Sequence, residues 1–110
     1  MATRHFVKNE VVRWIDGDTV VLNVDLGFKI WSAQTFRLAR INTPEKGKPG
    51  YAEAVNRVNQ LAPVGSIVAI DCVGLDKYGR WVAEVFVPNA LGMNISVNQT
   101  LISENLAVVY

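Results

Sequence analysis

The sequence has few of the features that mark exported, membrane-bound or disulfide-stabilised proteins. Its 110 residues include a single cysteine, Cys72, which therefore cannot form an internal disulfide. Its position in the apolar run 67–73 favours a buried, inert thiol over a nucleophile. No apolar run is long enough to span a membrane, and residues 1–8 lack the apolar core of a signal peptide. We therefore expect no membrane partner, and either a cytoplasmic protein or a secreted one whose signal has been removed.

A strong excess of either charge is missing as well. Eleven Lys and Arg residues face ten Asp and Glu residues, which gives a formal net charge of +1. Proteins that coat duplex nucleic acid are usually far more basic, so any such contact here must rest on a few local cations or on a metal. Hydrophobic residues make up 50% of the chain, which is enough for a core. The length fits one domain over residues 1–110.

The hydrophobic pattern predicts three strands, a helix, two strands and a second helix. Helical spacing begins at Tyr51 and ends before Pro63, and Ser96 with Gln99 predicts a capped second helix. Asn105 suits the left-handed position after that helix. The predicted strands are 6–14, 20–25, 29–41, 67–73 and 81–87, with a short extended piece at 106–109. A bend or bulge is expected near Ser32 and Ala33. The order is typical of a mainly β protein with two helices, built as a five-stranded OB-type barrel.

Carboxylates and guanidiniums occur at the ends of several predicted strands. The segments are Asp-Gly-Asp-Thr (16–19), Thr-Phe-Arg-Leu (35–38), Asn-Thr-Pro-Glu (42–45) and Asp-Lys-Tyr-Gly-Arg (76–80). Together they supply oxygen ligands for a hard cation, a candidate base and two arginines. In this order and spacing they resemble the staphylococcal nuclease family, over about residues 7–106.

The resemblance also implies an OB-type barrel, in agreement with the strand order. The family usually carries a third helix at its C-terminus, and this chain stops at Tyr110, before that helix would begin. The flank of the barrel is then either bare or covered by a second subunit. A homodimer is accordingly an expectation.

A calcium site is implied by the resemblance at Asp18, Asn42 and the backbone carbonyl of Thr43. The family places an aspartate where this chain has Asn42, so one negative ligand is lost. We expect weaker calcium binding, with the substrate phosphate restoring part of the charge. The alternative is that the metal site is dead, that Asn42 is a plain turn residue, and that Asp18 belongs only to a hairpin turn.

The resemblance assigns catalytic roles to Arg37, Glu45 and Arg80. Glu45 matches the general base that activates the attacking water, and the two arginines match those that contact the scissile phosphate. Glu45 could equally be a solvated surface residue. Each arginine could instead form an ion pair with Asp18, Glu45 or Asp76.

Lys77 and Tyr78 precede Arg80, as their counterparts do in the family. There they help to hold a terminal phosphate and a base, so both are candidate substrate-binding residues.

The resemblance therefore implies a calcium-dependent nuclease that hydrolyses DNA or RNA with little sequence specificity and a preference for single strands, leaving 3′-phosphate ends. One alternative is an OB-fold module that binds nucleic acid without cleaving it. A second alternative is a protein-interaction domain, as in degenerate copies of this fold. The presence of Arg37, Glu45 and Arg80 argues against that second alternative.

Overall fold

The computed structural model describes residues 3–88 and 91–110 of the chain. Within these residues, no helix is both long and apolar enough to cross a membrane. In chain order the elements are β1 (Arg4–Asp16), β2 (Thr19–Asp25), β3 (Trp31–Leu38), β4 (Ile41–Asn42), α1 (Tyr51–Leu61), β5 (Ile67–Leu75), β6 (Trp81–Pro88), β7 (Asn94–Ser96), α2 (Val97–Ser103) and β8 (Val108–Val109).

Five strands close into a barrel of mixed pairing. β1 pairs antiparallel with β2 and β5, β2 pairs with β3, and β5 pairs with β6. A parallel pairing of β3 with β6 completes the ring and sets Phe36 opposite Trp81 and Arg37 opposite Val82. The short β7 pairs with the far end of β6. The predicted mainly β fold with two helices and a five-stranded OB-type barrel is confirmed.

Alternating side chains fill the barrel. In β2, the buried residues Val20, Leu22 and Val24 alternate with less buried ones, as a strand with one face on the core requires. Helix α1 adds Ala54 and Val58 from the side that faces the barrel. Burying each valine or leucine side chain of this core stabilises the fold by about 1.5–3 kcal/mol.

Two buried polar side chains hold the helices in place. Trp14 in β1 donates its indole N–H to the carbonyl of Ala62, just after α1, at 2.9 Å. Asn98 in α2 is fully buried; its amide oxygen accepts from the N–H of Val85 at 3.0 Å, and its amide nitrogen donates to the carbonyl of Ala39 at 2.9 Å. Satisfied buried polar groups of this kind specify one packing arrangement.

The second helix and the chain after it follow the prediction. The Ser96 hydroxyl accepts from the N–H of Gln99 at 3.0 Å and caps α2. Asn105 has a φ of 60°, in the left-handed region. Of the extended piece predicted at 106–109, only Val108–Val109 form a strand, and this β8 pairs with β4 so that Val109 lies opposite Ile41.

The third strand differs from the prediction at its ends and in its regularity. β3 is shorter than 29–41 because Lys29 and Arg40 have φ values of 63° and 68°, outside the extended region. Of the bend or bulge expected near Ser32 and Ala33, the bulge is wrong, since the register between β2 and β3 is continuous there. Irregularities occur instead in β1, one of them between Val11 and Arg13.

Candidate functional site

Three separate segments meet at one corner of the barrel. Asp18 lies in the turn between β1 and β2, Arg37 lies near the end of β3, and Asn42 and Thr43 lie at the end of β4 and just beyond it. The N–H of Leu38 donates to the carbonyl of Asp18 at 2.8 Å and holds the first two segments together. We call Asp18, Arg37, Asn42 and Thr43 the Asp18 corner.

The Asp18 carboxylate is buried and has several hydrogen-bond donors around it. One oxygen accepts from the backbone N–H of Thr43 at 3.0 Å, and the other accepts from the hydroxyl of Thr19 at 3.1 Å. The Arg37 guanidinium lies 3.3 Å from the first oxygen, and the side chains of Asp18 and Arg37 are only 11% and 14% exposed. The same guanidinium donates to the amide oxygen of Asn42 at 2.9 Å. The corner therefore balances its own charge.

Gly17 allows helix α1 to pack directly against this turn. A Cβ at position 17 would lie 2.8 Å from the Cβ of Ala54 and 3.1 Å from the hydroxyl oxygen of Thr43. Any side chain there would push α1 or Thr43 away. Within the described part of the chain, that buried Thr43 hydroxyl has no hydrogen-bond partner.

Tyr51, the first residue of α1, also reaches the turn. Its hydroxyl donates to the carboxylate of Asp16 at 3.0 Å. That hydrogen bond raises the pKa of Tyr51, and burial and the charges of Asp16 and Asp18 act in the same direction. Sequence reasoning missed this contact because Tyr51 carried only a helical periodicity signal. The contact spans 35 residues and depends on how α1 packs.

Glu45 stands at the start of the loop that leaves the corner, two residues after Thr43. It is exposed, and its backbone carbonyl accepts from the N–H of Lys48 at 2.9 Å. Among the described residues, its carboxylate has neither a hydrogen bond nor an ion pair. The carboxylate is therefore available to a water molecule.

Residues 76–80 form a second group, which we call the Asp76 turn. One oxygen of Asp76 accepts from the N–H groups of Tyr78 and Arg80, both at 2.9 Å, and the other accepts from Nε of Arg80 at 2.9 Å. Desolvation alone would raise the pKa of Asp76, but the two backbone N–H groups and the Arg80 guanidinium together lower it below its ordinary value. The turn thus holds its aspartate in the charged form.

The Asp76 turn presents an aromatic ring and two cations at the surface. The ring of Tyr78 is 71% exposed and lies 5.3 Å from Nζ of Lys77 and 5.4 Å from Cζ of Arg80. Arg80 uses Nε for its side-chain hydrogen bond, and its two Nη groups have none within the residues described. This arrangement suits an anionic ligand that also carries a flat ring.

The structure brings four of the predicted site residues together in the Asp18 corner. The remaining ones lie outside that cluster, in the loop after β4 and in the Asp76 turn. Arg80 directly precedes β6, and Val82 in that strand lies opposite Arg37. Paired strands are about 4.8 Å apart, so Arg37 lies in a strand next to the one that Arg80 directly precedes. No hydrogen bond or ion pair joins the Asp76 turn to the Asp18 corner in residues 3–88 and 91–110. On its other side, Arg37 lies 5.9 Å from the ring of Tyr110.

The corner offers oxygen donors of the kinds that calcium accepts. They are the carboxylate of Asp18, the amide oxygen of Asn42 and the backbone carbonyl of Thr43. The first two contact one guanidinium and therefore lie close together. No group of three or more His, Cys, Asp or Glu residues suited to a metal occurs in the described ranges. The donor set fits calcium in type, but a single negative charge already shared with Arg37 indicates weak affinity.

Comparison with known proteins points to one family. The profile of the family described as Staphylococcal nuclease homologue matches residues 35–110. Two curated proteins, from Escherichia coli O157:H7 and Escherichia coli, are each 32% identical to the chain over 104 residues, or 94% of its length. Both carry the name uncharacterized endonuclease. The chain spans 61% of the length of each of these relatives.

Proposed function

This chain belongs to the family of staphylococcal nuclease homologues, and on that premise we propose that it is a nuclease that hydrolyses phosphodiester bonds in DNA or RNA. The Asp18 corner is the observation that carries the proposal. It joins a buried carboxylate, a guanidinium and two further oxygen donors from three segments, next to a strand that a second arginine directly precedes. We expect little sequence specificity, because these groups recognise phosphate rather than bases.

Arg37 and Arg80 would bind the scissile phosphate. Both guanidiniums stay charged at any physiological pH and can hold two phosphate oxygens at once. Arg37 would exchange its contacts with Asp18 and Asn42 for contacts with the phosphate. That exchange leaves the oxygens of Asp18 and Asn42 free at the moment when the substrate arrives.

Glu45 would act as the general base. Its unpaired, exposed carboxylate can take a proton from a water molecule. The water oxygen would then form a bond to phosphorus, and the bond from phosphorus to the 5′ oxygen would break. The leaving oxygen takes up a proton, and the product strand keeps a 3′-phosphate. Arg37 and Arg80 would offset the negative charge that develops on the phosphate oxygens.

We propose calcium as the cofactor, held by Asp18, Asn42 and the carbonyl of Thr43. When bound, it would add positive charge against a phosphate oxygen. Asn42 contributes an oxygen but no charge, so the protein supplies only the carboxylate of Asp18. The calcium affinity of the Asp18 corner should accordingly be low without substrate, and a bound phosphate should raise this affinity.

A cleavage assay with matched variants tests the proposal. Single-stranded DNA and RNA are incubated with the protein in the presence of Ca²⁺, Mg²⁺ or a chelator. Cleavage in Ca²⁺ should fall by roughly 10²- to 10⁴-fold in Glu45→Gln. The control variant Glu53→Gln makes the same change at an exposed residue of α1 and should cleave like the unaltered protein. Equal cleavage by the two variants would remove Glu45 from the mechanism.

A second function is favoured by the charge balance of the corner. Because Arg37 already neutralises Asp18, the protein could bind a DNA or RNA strand through Arg80, Lys77 and Tyr78 without a metal and without cleaving it. The same assay separates the two functions. A strand that migrates more slowly with the protein and stays intact under every condition identifies a binding module.

A further inference from the structure

An open cavity of about 340 Å³ lies at one mouth of the barrel. Three aromatic side chains, Phe6, Phe36 and Trp81, line it, with Arg4 and Gln34 among the polar residues around them. We call this cavity the mouth pocket. Its volume falls in the range of about 300–1,000 Å³ that is usual for small-molecule sites. The contacts of the Asp18 corner do not use any of these five residues.

Two residues that line the mouth pocket are sequence neighbours of the two arginines of the proposed site. Phe36 precedes Arg37 in β3, Trp81 follows Arg80 at the start of β6, and Phe36 and Trp81 lie opposite each other. Side chains alternate along a strand, so Phe36 faces the barrel interior and Arg37 points to the opposite face, where its side chain is 14% exposed. Successive residues rise by only about 3.3 Å. A phosphate bound at Arg80 would therefore lie one residue away from Trp81, which lines the pocket.

The lining offers what a nucleobase needs, namely flat apolar walls and hydrogen-bonding groups at the edge. The indole N–H of Trp81 donates to the amide oxygen of Gln34 at 3.3 Å, and the amide nitrogen of Gln34 donates to the hydroxyl of Ser32 at 2.7 Å. Both bonds are at exposed groups, where a base can replace one of them. Stacking on aromatic rings accepts any base, since every base has a π face.

Two cations at or beside the mouth can contact the phosphates of a strand. Arg4 lines the pocket and has no ion pair in the described residues. Lys8 lies 5.7 Å above the ring of Trp31, next to Ser32 of the lining. Of the nearby carboxylates, Asp71 contacts His5 and Asp25 accepts from the N–H of Gly27. Arg4 and Lys8 thus supply two positive charges at or beside the mouth, next to the carboxylate of Asp25, which no cation of the described residues contacts.

We propose that the mouth pocket is a base-binding subsite, which takes one unpaired base of a nucleic acid strand whose adjoining phosphate lies at Arg80. The inference rests on the proposed function, because it assigns the pocket to the same substrate. A base held in a duplex cannot enter a cavity, so the subsite selects single-stranded or frayed substrate. A base stacked against Trp81 also fixes the position of the strand relative to Arg37.

Tryptophan fluorescence can test whether a base enters. In a Trp31→Phe protein, the remaining tryptophans are Trp81 in the pocket and Trp14, which is buried and bonded to the carbonyl of Ala62. The protein is titrated in chelator, so that strands stay intact, with a short single-stranded oligonucleotide and with the same oligonucleotide lacking its bases. We expect saturable quenching by the first strand and at least about tenfold weaker binding of the second.

Two arginines of β1 provide a matched pair of variants. Arg4 lines the pocket, whereas Arg13 is another exposed arginine, near the other end of the strand. We expect Arg4→Gln to weaken binding by about fivefold or more and Arg13→Gln by less than about twofold. Gln34→Ala, at an exposed residue, gives a second change in the pocket and should weaken binding of the base-bearing strand alone.

The outcomes separate the subsite from the nuclease activity. Equal affinity for strands with and without bases, or equal effects of Arg4→Gln and Arg13→Gln, would overturn the subsite even if the protein cleaves DNA or RNA. Selective quenching by base-bearing strands in a protein that never cleaves them would support the subsite and overturn the proposed activity. Binding of duplex as tight as that of single strands would also overturn the subsite.

Discussion

The Asp18 corner and the Asp76 turn each pair an arginine with an aspartate, but in different ways. In the corner, Asp18 and Arg37 come from separate segments, and their side chains are only 11% and 14% exposed. In the turn, Asp76 and Arg80 are four residues apart, and Arg80 is 33% exposed. The corner uses its guanidinium to neutralise a carboxylate within the fold. The turn holds its guanidinium by Nε and leaves the remainder accessible.

The difference separates stability from binding. Removing one partner of a buried ion pair leaves an uncompensated charge, whereas an exposed pair contributes little to stability. Changes in the Asp18 corner should therefore lower stability and activity together. Changes in the Asp76 turn should lower activity and leave stability almost unchanged.

The largest effect is expected from Asp18→Ala. The substitution leaves the Arg37 guanidinium buried without its carboxylate and removes the acceptor for the N–H of Thr43. We expect the free energy of unfolding to fall by about 3–5 kcal/mol, measured by urea denaturation.

An exposed ion pair supplies the control for this experiment. Glu104→Ala removes the partner of Arg57, a pair whose side chains are 37% and 33% exposed. Its effect on unfolding should be a small fraction of that of Asp18→Ala. If the two variants lose similar stability, burial of the Asp18 corner does not set its contribution.

Replacing each arginine by lysine compares the two regions directly. Lysine keeps the charge but loses the planar fork that holds two oxygens. We expect Arg80→Lys to lower kcat/KM by about a hundredfold with an unchanged unfolding midpoint. Arg37→Lys should lower both, because it also loses the hydrogen bond to Asn42. A drop in stability in Arg80→Lys as large as in Arg37→Lys would contradict the comparison.

The two regions also differ in how far the sequence predicts them. All hydrogen bonds of the Asp76 turn lie within five consecutive residues, so the motif Asp-Lys-Tyr-Gly-Arg is enough to anticipate the turn. The cap of α2 at Ser96 is local in the same way and was predictable. The Asp18 corner joins residues up to 25 positions apart, and only the family resemblance indicated that they meet.

Contacts that depend on packing left no signal in the sequence. Asn98 binds the backbone of β6 and of Ala39 only because α2 lies against the barrel. Tyr51 reaches Asp16 because Gly17 allows α1 to come close. The irregular register of β1 was missed because alternation along a strand does not reveal where its partner strand shifts. Sequence patterns thus located the elements, and tertiary packing decided these contacts.

A smaller effect is expected from Asn42→Asp, which adds a carboxylate to the corner. Two carboxylates would then share Arg37, and one of them would be available to a cation. We expect calcium affinity, measured by isothermal titration calorimetry, to rise by about tenfold or more. Asn94→Asp makes the same change at an exposed residue of β7 and serves as the control. An unchanged calcium titration in Asn42→Asp would remove position 42 from the metal site.

The smallest effect is expected when Asp76 is protonated at low pH. This titration tests whether the Asp76 turn can open independently of the Asp18 corner. The pKa of Asp76 is lowered from its ordinary value of 3.8, so the carboxylate binds protons less readily in the folded protein than in the unfolded one. The contribution of this carboxylate to stability is therefore complete above pH 3.8 and is lost as the pH falls through the lowered pKa of the folded protein. Amide NMR shifts of Tyr78 and Arg80 should titrate only below pH 3.8, and Asp76→Asn should abolish that titration.

The Asp76 turn can loosen below pH 3.8 while the Asp18 corner stays folded, because no hydrogen bond or ion pair within the described residues joins the two regions. A titration of both amides that coincides with global unfolding would show that the two regions are one cooperative unit.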